Sequence, residues 1–361
     1  MKNIFGKAIL LATALLFSIT GTSCSSDDSP VPEKEKTYNM SGFAKGADVS
    51  WLTEMEQDGV KFYNQNGKAE ECMWLLRDLG TNAIRLRVWV NPEGGWCGKD
   101  DVIAKASRAQ ALGYRLMIDF HYSDTWADPG NQKVPAAWKG YTFEQMKQAV
   151  ANHTKDVLSA LKERGVTNVE WVQVGNETRD GMLFSSDEAV TGKVSKNAAN
   201  FAAYVNAGYD AVKAVYPQAK VVVHVDEGNN LGRYTWLFGE LKKKGGKWDV
   251  IGMSLYPEDN NWQDLTTNCL KNIKTLSEQY NCNVIVSEIG MWWGSDQAAP
   301  MMKKMVDGCK AISTCEGIFY WEPEVYNNWK PANYSSLGWN AYTKGAFDNS
   351  GKPTAVFDAY K

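Results

Sequence analysis

The sequence predicts an α/β protein in which a single domain forms a (β/α)8 barrel. Short segments rich in β-branched and apolar residues recur along the chain, and longer segments with helical spacing separate them. The short segments are apolar on both faces, as expected for parallel strands that are covered on both sides. Eight such units follow one another without a break in composition, which favours a closed barrel over an open sheet.

The elements are predicted in a regular order along the chain. The eight strands are Phe43–Val49, Ala83–Val90, Arg115–His121, Val169–Gly175, Lys220–Val225, Val250–Leu255, Val284–Ser287 and Gly317–Tyr320. Helices are predicted between them, among them Ala69–Leu79, Val102–Leu112, Thr142–Arg164 and Ala198–Val215. The last segment, Glu322–Lys361, is predicted to be a long loop followed by a closing helix.

The first residues are expected to be removed from the mature protein. Lys2 and Lys7 flank the start of an apolar run, Ala8–Ile19, which is too short to cross a bilayer but typical of a signal peptide. The small residues before Cys24 resemble a bacterial lipoprotein cleavage site. Residues 1–23 are therefore predicted to be a signal peptide and Cys24 to be lipidated. The alternative is an ordinary secretory signal in which Cys24 has no role.

Residues 24–37 are predicted to be a disordered tether, because Ser25–Lys36 is highly charged, contains prolines and lacks periodic apolar positions. Residues 38–361 then form the folded domain. Asp27 and Asp28 resemble the acidic signal that sends some bacterial lipoproteins to the outer cell face. We therefore expect an exported, monomeric outer-membrane lipoprotein that contacts the membrane only through its lipid anchor. Either membrane face remains open, and the acidic signal favours the cell exterior.

The composition excludes some partners and suggests another. Hydrophobic residues make up 44% and charged residues 22% of the chain, as in an ordinary soluble domain. The net charge of -3 gives no reason to expect nucleic acid as a partner. Fifteen tryptophans and sixteen tyrosines exceed what a core requires, and exposed aromatic rings commonly stack on sugar faces. The alternative is that many of them fill a large core.

Six cysteines follow Cys24, and disulfides persist in exported proteins. We predict local pairing, Cys72 with Cys97, Cys269 with Cys282 and Cys309 with Cys315, although other pairings remain open. The sequence contains no C-x-x-C motif and only three histidines, which argues against a zinc site.

Polar side chains are concentrated where the predicted strands end. They are Asp48, Arg85, His121, Asn176, Glu177, Asp226, Tyr256, Glu288 and Trp321. In a barrel the carboxyl ends of all strands open on one face, and active sites are built there. The sequence therefore predicts one active site formed by these ends.

Glu177 and Glu288 follow the fourth and seventh strands and form a plausible catalytic pair for glycoside hydrolysis. In that chemistry one carboxyl group protonates the leaving oxygen while the other attacks the anomeric carbon, and a separation of about 5–5.5 Å gives retention of configuration. Glu177 as the acid needs a raised pKa, which burial and the charge of Glu288 would provide. A single glutamate after a strand is usually part of a salt bridge, but two at these strands are harder to explain in that way.

Sequence motifs from Gly46 to Pro323 resemble those of glycoside hydrolase family 53, the endo-β-1,4-galactanases. They are RLRVWVNP from Arg85, DFHYSDTWADPG from Asp119, GNE from Gly175, HVD from His224, SLYP from Ser254, SE from Ser287 and FYWEP from Phe319. The resemblance implies a retaining enzyme that cleaves β-1,4-linked galactan within the chain. It also implies that Glu177 is the general acid/base and Glu288 the nucleophile.

The resemblance implies further roles by matching position. Asn176 would bond the 2-hydroxyl of the cleaved sugar, or else be a turn residue. Arg85 would hold Glu288 ionised, Tyr256 would donate a hydrogen bond to Glu288, and Trp321 would form the hydrophobic floor of the site. A structural ion pair is equally compatible with Arg87. The remaining cleft residues would be Asp48, His121, Asp124, Trp126, His224 and Asp226, although His121 could instead be a core histidine.

The loop after the seventh strand departs from the family, in which some bacterial members carry a long calcium-binding loop at this place. Here Gly290–Asp296 is short and offers one carboxylate, whereas calcium takes six to eight oxygen ligands. We therefore predict no metal and no cofactor. Trp292 and Trp293 would serve as sugar platforms, unless one of them packs in the core.

Two other functions remain open at this point. A related barrel endo-glycanase acting on mannan, xylan or glucan would use the same two glutamates, and only the DFHYSDTWADPG motif favours galactan. A non-catalytic surface lipoprotein that captures glycans would need neither glutamate.

Overall fold

The computed structural model describes residues 36–361, of which Tyr38–Lys361 form one compact unit. The predicted signal peptide, Cys24 and all but the last two residues of the predicted tether lie outside the described residues. Within the described part of the chain, no helix is both long and apolar enough to cross a lipid bilayer.

Eight parallel strands close into a barrel, so the predicted fold class is confirmed. The strands are β1 (Ala44–Asp48), β2 (Ala83–Val88), β3 (Arg115–Phe120), β4 (Val169–Val174), β5 (Lys220–Val225), β6 (Val250–Leu255), β7 (Asn283–Ile289) and β8 (Cys315–Trp321). Each strand pairs with its neighbours in sequence order, and β1 closes the barrel by pairing with both β2 and β8.

Helices lie between the strands, as is usual for this fold. They are α1 (Leu52–Gln57), α2 (Cys72–Asp78), α3 (Lys99–Ala111), α4 (Phe143–Glu163), α5 (Val194–Val215), α6 (Leu231–Lys243), α7 (Trp262–Tyr280), α8 (Ala298–Lys310) and α9 (Ala332–Leu337). Two 3-10 helices cover Ala136–Trp138 and Ala355–Tyr360.

The start of α2 and the type of the closing helix differ from the prediction for local reasons. α2 begins at Cys72 rather than at Ala69, because Ala69–Glu70 pairs with Phe62–Tyr63 in a small antiparallel sheet. The closing helix expected at the C-terminus is instead the 3-10 helix Ala355–Tyr360, whose Tyr360 hydroxyl donates to the carbonyl of Gly46 at 2.7 Å. This bond ties the end of the chain to the first barrel strand.

The barrel interior is apolar at one end and polar at the other. One buried residue from each strand forms the apolar layer: Ala44, Ala83, Met117, Trp171, Val222, Val250, Ile285 and Phe319. Side chains two positions apart along a strand lie on the same face, so the next inward residues toward the carboxyl ends include Arg85, Asp119, Gln173 and His224. The floor therefore excludes water from below, and the polar layer above it supports the site.

The predicted disulfides are wrong, since all six described cysteines are free. Cys97 lies against the carbonyl of Ser50 at 3.5 Å, whereas Cys72 begins α2. Cys269 and Cys282 also lie in different surroundings. Cys269 packs beside Gly228, whereas Cys282 contacts Trp248. The thiol of Cys315 is directed to the carbonyl of Gly317 at 3.8 Å.

Candidate active site

A cleft of about 280 Å3 opens at the carboxyl ends of the strands, and both Glu177 and Glu288 line it. Five more of the predicted site residues line the same cleft: His121, Trp126, Asn176, Tyr256 and Trp321. The strand ends thus bring the two carboxyl groups into one space, as the barrel topology requires.

Glu177 lies just beyond β4 in a conformation that is rare for residues other than glycine. Its φ is +43°, which lies in the left-handed region. Residues other than glycine that adopt this conformation cluster at functional sites. Its Oε1 accepts a hydrogen bond of 2.8 Å from the Ser254 hydroxyl. Burial and then the negative charge of Glu288 raise the pKa of Glu177 well above its ordinary value. A carboxyl group in this environment favours the protonated form that a general acid needs.

Glu288 lies near the end of β7 and both of its carboxylate oxygens are engaged. Arg85 Nη2 contacts Oε1 at 2.8 Å, and the Tyr256 hydroxyl donates to Oε2 at 2.7 Å. Burial raises the pKa of Glu288, but the Arg85 charge and the Tyr256 hydrogen bond oppose that rise. Neither of these two opposing contacts is made to Glu177, so Glu288 keeps its charge more readily than Glu177 does.

Arg85 joins the site to the polar layer beneath it. Its guanidinium contacts Asp48 at 2.6 Å and Asp119 at 2.9 Å in addition to Glu288. It also donates to Asn176 Oδ1 at 3.0 Å. A fully buried cation with several carboxylate partners is held in one place, so Arg85 fixes the position of Glu288.

Comparison with known proteins connects this geometry to a family. The family model described as Glycosyl hydrolase family 53 matches residues 44–360. The Bacillus subtilis endo-β-1,4-galactanase is 31% identical over an alignment of 313 residues, and the match covers 78% of this chain and 70% of that protein. The arabinogalactan endo-β-1,4-galactanase of Thermothelomyces thermophilus is 29% identical over 343 residues, 88% of this chain and 98% of that protein. A structure of fungal β-1,4-galactanases superimposes with a TM-score of 0.76 at 27% identity, covering 89% of this chain and 99% of that one.

The chain belongs to glycosyl hydrolase family 53. The resemblance found in the sequence motifs is thereby confirmed, and the protein is a glycoside hydrolase. The family match extends from β1 to the last 3-10 helix, so the barrel and the segment that follows it both belong to the family 53 domain.

Several residues predicted to bind substrate lie beneath the cleft of this family 53 enzyme instead. Asp48, Arg85 and His224 have no exposed surface. Arg85 makes the contact with Glu288 that was predicted for it, whereas the predictions of substrate contact for Asp48 and His224 are wrong. All three residues point into the barrel on the same strand faces as the apolar floor, and they contact other site residues rather than the cleft. His121 lies at the cleft wall, but its two ring nitrogens already bond Asp119 and the indole of Trp89.

Two predicted aspartates serve the surrounding loops. Asp226 is ion-paired with Arg179 and lies 2.8 Å from Arg233, and it is nearly fully buried. Asp124 accepts a hydrogen bond of 2.7 Å from the backbone of Ala136, at the start of a 3-10 helix. Neither lines the cleft, and their contact with substrate stays a prediction.

The predicted aromatic platforms fall into two groups. Trp126 and Trp321 line the cleft with ring centroids 6.0 Å apart, and the Arg87 guanidinium lies 4.3 Å from the centre of the Trp126 ring. Trp292 is 51% exposed on the loop after β7, and Trp293 is partly buried beside it. Neither of them lines the cleft itself.

Sequence reasoning missed several cleft residues because they lie in segments without periodic patterning. Asp128 belongs to the loop after β3, and Tyr334, Trp339, Tyr342 and Lys344 belong to the segment after β8. The density of tyrosine and tryptophan in that last segment is the signal that could have found them.

A buried carboxyl pair under the cleft was also missed. Arg87 contacts Glu322 at 2.9 Å, which supports the structural interpretation of Arg87. Burial raises the pKa of Glu322 to about 7, and it raises the pKa of the neighbouring Glu324 well above its ordinary value.

Among the residues that the structure describes, no group of three or more histidines, cysteines or carboxylates is arranged to hold a metal ion.

Proposed function

We propose that the protein is an endo-acting, retaining glycosidase that cleaves β-1,4-galactosidic bonds in galactan and type I arabinogalactan by double displacement. The observation that carries the proposal is that two carboxyl groups share one cleft and only one of them, Glu288, contacts an arginine. The names of the relatives from Bacillus subtilis and Thermothelomyces thermophilus support galactan as the substrate.

In the proposed first step Glu288 attacks the anomeric carbon while Glu177 gives its proton to the leaving oxygen. A covalent galactosyl–enzyme forms at Glu288, and water then displaces it with Glu177 acting as the base. Asn176 is placed to assist at the 2-hydroxyl. One of its amide hydrogens bonds the carbonyl of Ala127 at 2.8 Å, which leaves the second available to the sugar.

The substrate's shape supports an open groove rather than a pocket for chain ends. Galactose has an axial 4-hydroxyl, so a β-1,4-galactan chain bends at each linkage. Trp126 and Trp321 would contact the sugars at the point of cleavage, and exposed Trp292 would contact sugars further along the same chain. Endo attack requires sugars bound on both sides of the cleaved bond.

Incubation with galactan, mannan, xylan and arabinan tests the proposal. We expect galactan to be cut to short oligosaccharides with a rapid fall in viscosity, because cleavage occurs within the chain. NMR of the earliest products should show the β-anomer before mutarotation, as double displacement requires. Release of monomer alone, an initial α-anomer, or a preference for mannan or xylan would each contradict the proposal.

We also propose that Cys24 carries the membrane anchor of an exported outer-membrane lipoprotein, by the lipoprotein-like sequence around it. Replacing Cys24 by Ala should move the protein from the membrane fraction to the soluble fraction, because lipid chains supply the membrane affinity. The rate on galactan should not change, since the folded unit begins at Tyr38. A C24A variant that stays in the membrane fraction would refute lipidation at this residue.

A further inference from the structure

A chain of buried hydrogen bonds leads from Glu177 into the barrel. The Ser254 hydroxyl, on β6, lies 2.8 Å from Glu177 Oε1. The Nε2 atom of His224, on β5, lies 2.6 Å from the same hydroxyl. Ser254 and His224 are almost completely buried, so neither can bind substrate, and neither has been given a role by the chemistry described above.

The surroundings of His224 determine which ring nitrogen carries its proton. The backbone N–H of Glu177 lies 3.3 Å from Nδ1, and a backbone N–H can only donate. Nδ1 must therefore present its lone pair, which leaves the proton of a neutral ring on Nε2. Burial lowers the pKa of His224 well below its ordinary value and keeps the ring neutral.

One contact favours the opposite tautomer, because Asn176 Oδ1 lies 2.9 Å from His224 Nδ1. That oxygen already accepts a hydrogen bond from Arg85 at 3.0 Å. Gln173 Nε2 gives one hydrogen to Asp119, and its second reaches either the same oxygen at 2.9 Å or His224 Nδ1 at 3.0 Å. In the first case both lone pairs of the oxygen are in use, and in the second Nδ1 is itself an acceptor. The Nε2–H tautomer is the one that leaves every fixed donor with an acceptor.

This tautomer fixes the direction of the whole chain. His224 Nε2–H donates to the Ser254 oxygen, and the Ser254 hydrogen is then directed to Glu177 Oε1. The carbonyl oxygen of a protonated carboxyl group is a better acceptor than its hydroxyl oxygen, so this hydrogen bond favours the acidic proton on Oε2. We infer that Ser254, oriented by His224, is a positioning residue that assigns the acidic proton of Glu177 to Oε2 and stabilises the carboxylate once the proton has left. The inference rests on the proposed role of Glu177 as acid/base.

Other charged groups act on Glu177, and most of them act in the direction opposite to Ser254. Glu288 on β7, Asp226 after β5 and Asp128 after β3 raise the pKa of Glu177, whereas the Ser254 hydrogen bond lowers it. The remaining titratable groups that face it are Arg179, Tyr234 and Tyr256. Loss of the Ser254 hydroxyl leaves all of these in place, so the charged groups around Glu177 do not change in the variant.

Replacing Ser254 by Ala tests the inference through the pH dependence of kcat/KM on galactan, which reports the free enzyme's acid and base. Without the hydroxyl the ionised form of Glu177 loses a hydrogen bond, so its pKa rises. We expect the basic limb of the profile to move up by about one pH unit, the size of shift that follows from losing a hydrogen bond to a charged group. The acidic limb, set by Glu288, should not move. Ser254→Thr, which keeps a hydroxyl, should restore the wild-type profile.

Ser287→Ala is the matched control. Ser287 is equally buried, lies next to Glu288 on β7, and its hydroxyl has no hydrogen-bond partner among the residues that the structure describes. S287A should therefore leave both limbs unchanged. An unchanged basic limb in folded S254A, as judged by its circular dichroism spectrum, would overturn the inference. A wild-type protein without activity on galactan would instead contradict the proposed function.

A measurement on the wild-type protein keeps the inference testable if S254A does not fold. Nitrogen NMR of the imidazole rings distinguishes the two tautomers, and the sequence contains only three histidines. We expect His224 to be neutral and protonated on Nε2 across the pH range of activity. A ring protonated on Nδ1, or a charged ring in that range, would overturn the assignment.

Discussion

Replacing Glu288 by Gln is expected to lower kcat on galactan by on the order of 10^4-fold or more, the loss typical of removing a catalytic nucleophile. Glutamine has the same shape and fills the same space between Arg85 and Tyr256, but its amide cannot attack the anomeric carbon. No covalent intermediate can then form. Initial rates of reducing-sugar release, compared at equal protein concentration, measure the effect.

The variant is expected to remain folded, because Arg85 keeps its contacts with Asp48 and Asp119 after Glu288 loses its charge. Glu316→Gln is a matched control at the opposite end of the barrel. That carboxylate is also nearly buried, and it contacts Lys220 at 2.8 Å and Asn283 at 2.5 Å, far along the strands from the cleft. E316Q should melt at a lower temperature yet retain its kcat. More than about a tenth of the wild-type rate in E288Q would contradict the nucleophile assignment.

The sequence was sufficient to predict the barrel and the location of its two glutamates. A buried parallel strand has a distinct pattern, and every such strand in a closed barrel ends on the same rim. Glu177 and Glu288 follow two of these strands, so they share a cleft wherever the intervening helices lie. The strand β5 was predicted at its observed bounds, Lys220–Val225, because both of its faces are covered.

The depth of each polar side chain along the barrel axis could not be predicted from the sequence pattern. Asp48 and His224 lie near strand ends, yet both point into the barrel. Asp48 accepts a hydrogen bond from Arg85, and His224 bonds the Ser254 hydroxyl. Whether a strand-end residue points into the barrel or across its mouth depends on the stagger between neighbouring strands, which is a property of the closed sheet. The same limit explains Tyr342 and Trp339, which reach the cleft through the packing of a segment without periodic structure.

Replacing Glu177 by Ala is expected to separate the two steps of catalysis. Cleavage of galactan should fall by about 10^2- to 10^4-fold, the range usually lost with a general acid. An aryl β-galactoside with a good leaving group needs no proton, so its galactosyl–enzyme should still form at a rate close to that of wild type. Hydrolysis of that intermediate should then be slow, because no base activates the water, and the intermediate should accumulate.

The backbone at this position supports alanine as the substitution. Glu177 has φ +43° and alanine tolerates that conformation no worse than glutamate does, so the change removes the carboxyl group without a new strain. Glu227→Ala is the matched control. Glu227 also follows a strand with a positive φ of 50°, but its side chain is 47% exposed and ion-paired with Arg233. E227A should behave as wild type on both substrates.

Added azide gives the decisive measurement on E177A. Azide needs no general base, and the space left by the carboxyl group lies beside the anomeric carbon of the intermediate. It should therefore displace Glu288 from the face that water normally uses, restore turnover of the aryl galactoside and yield a β-galactosyl azide. Because Glu288 occupies the opposite face, formation of the α-azide would mean that no galactosyl–Glu288 intermediate had formed. Full activity of E177A on galactan without azide would show that another group supplies the proton.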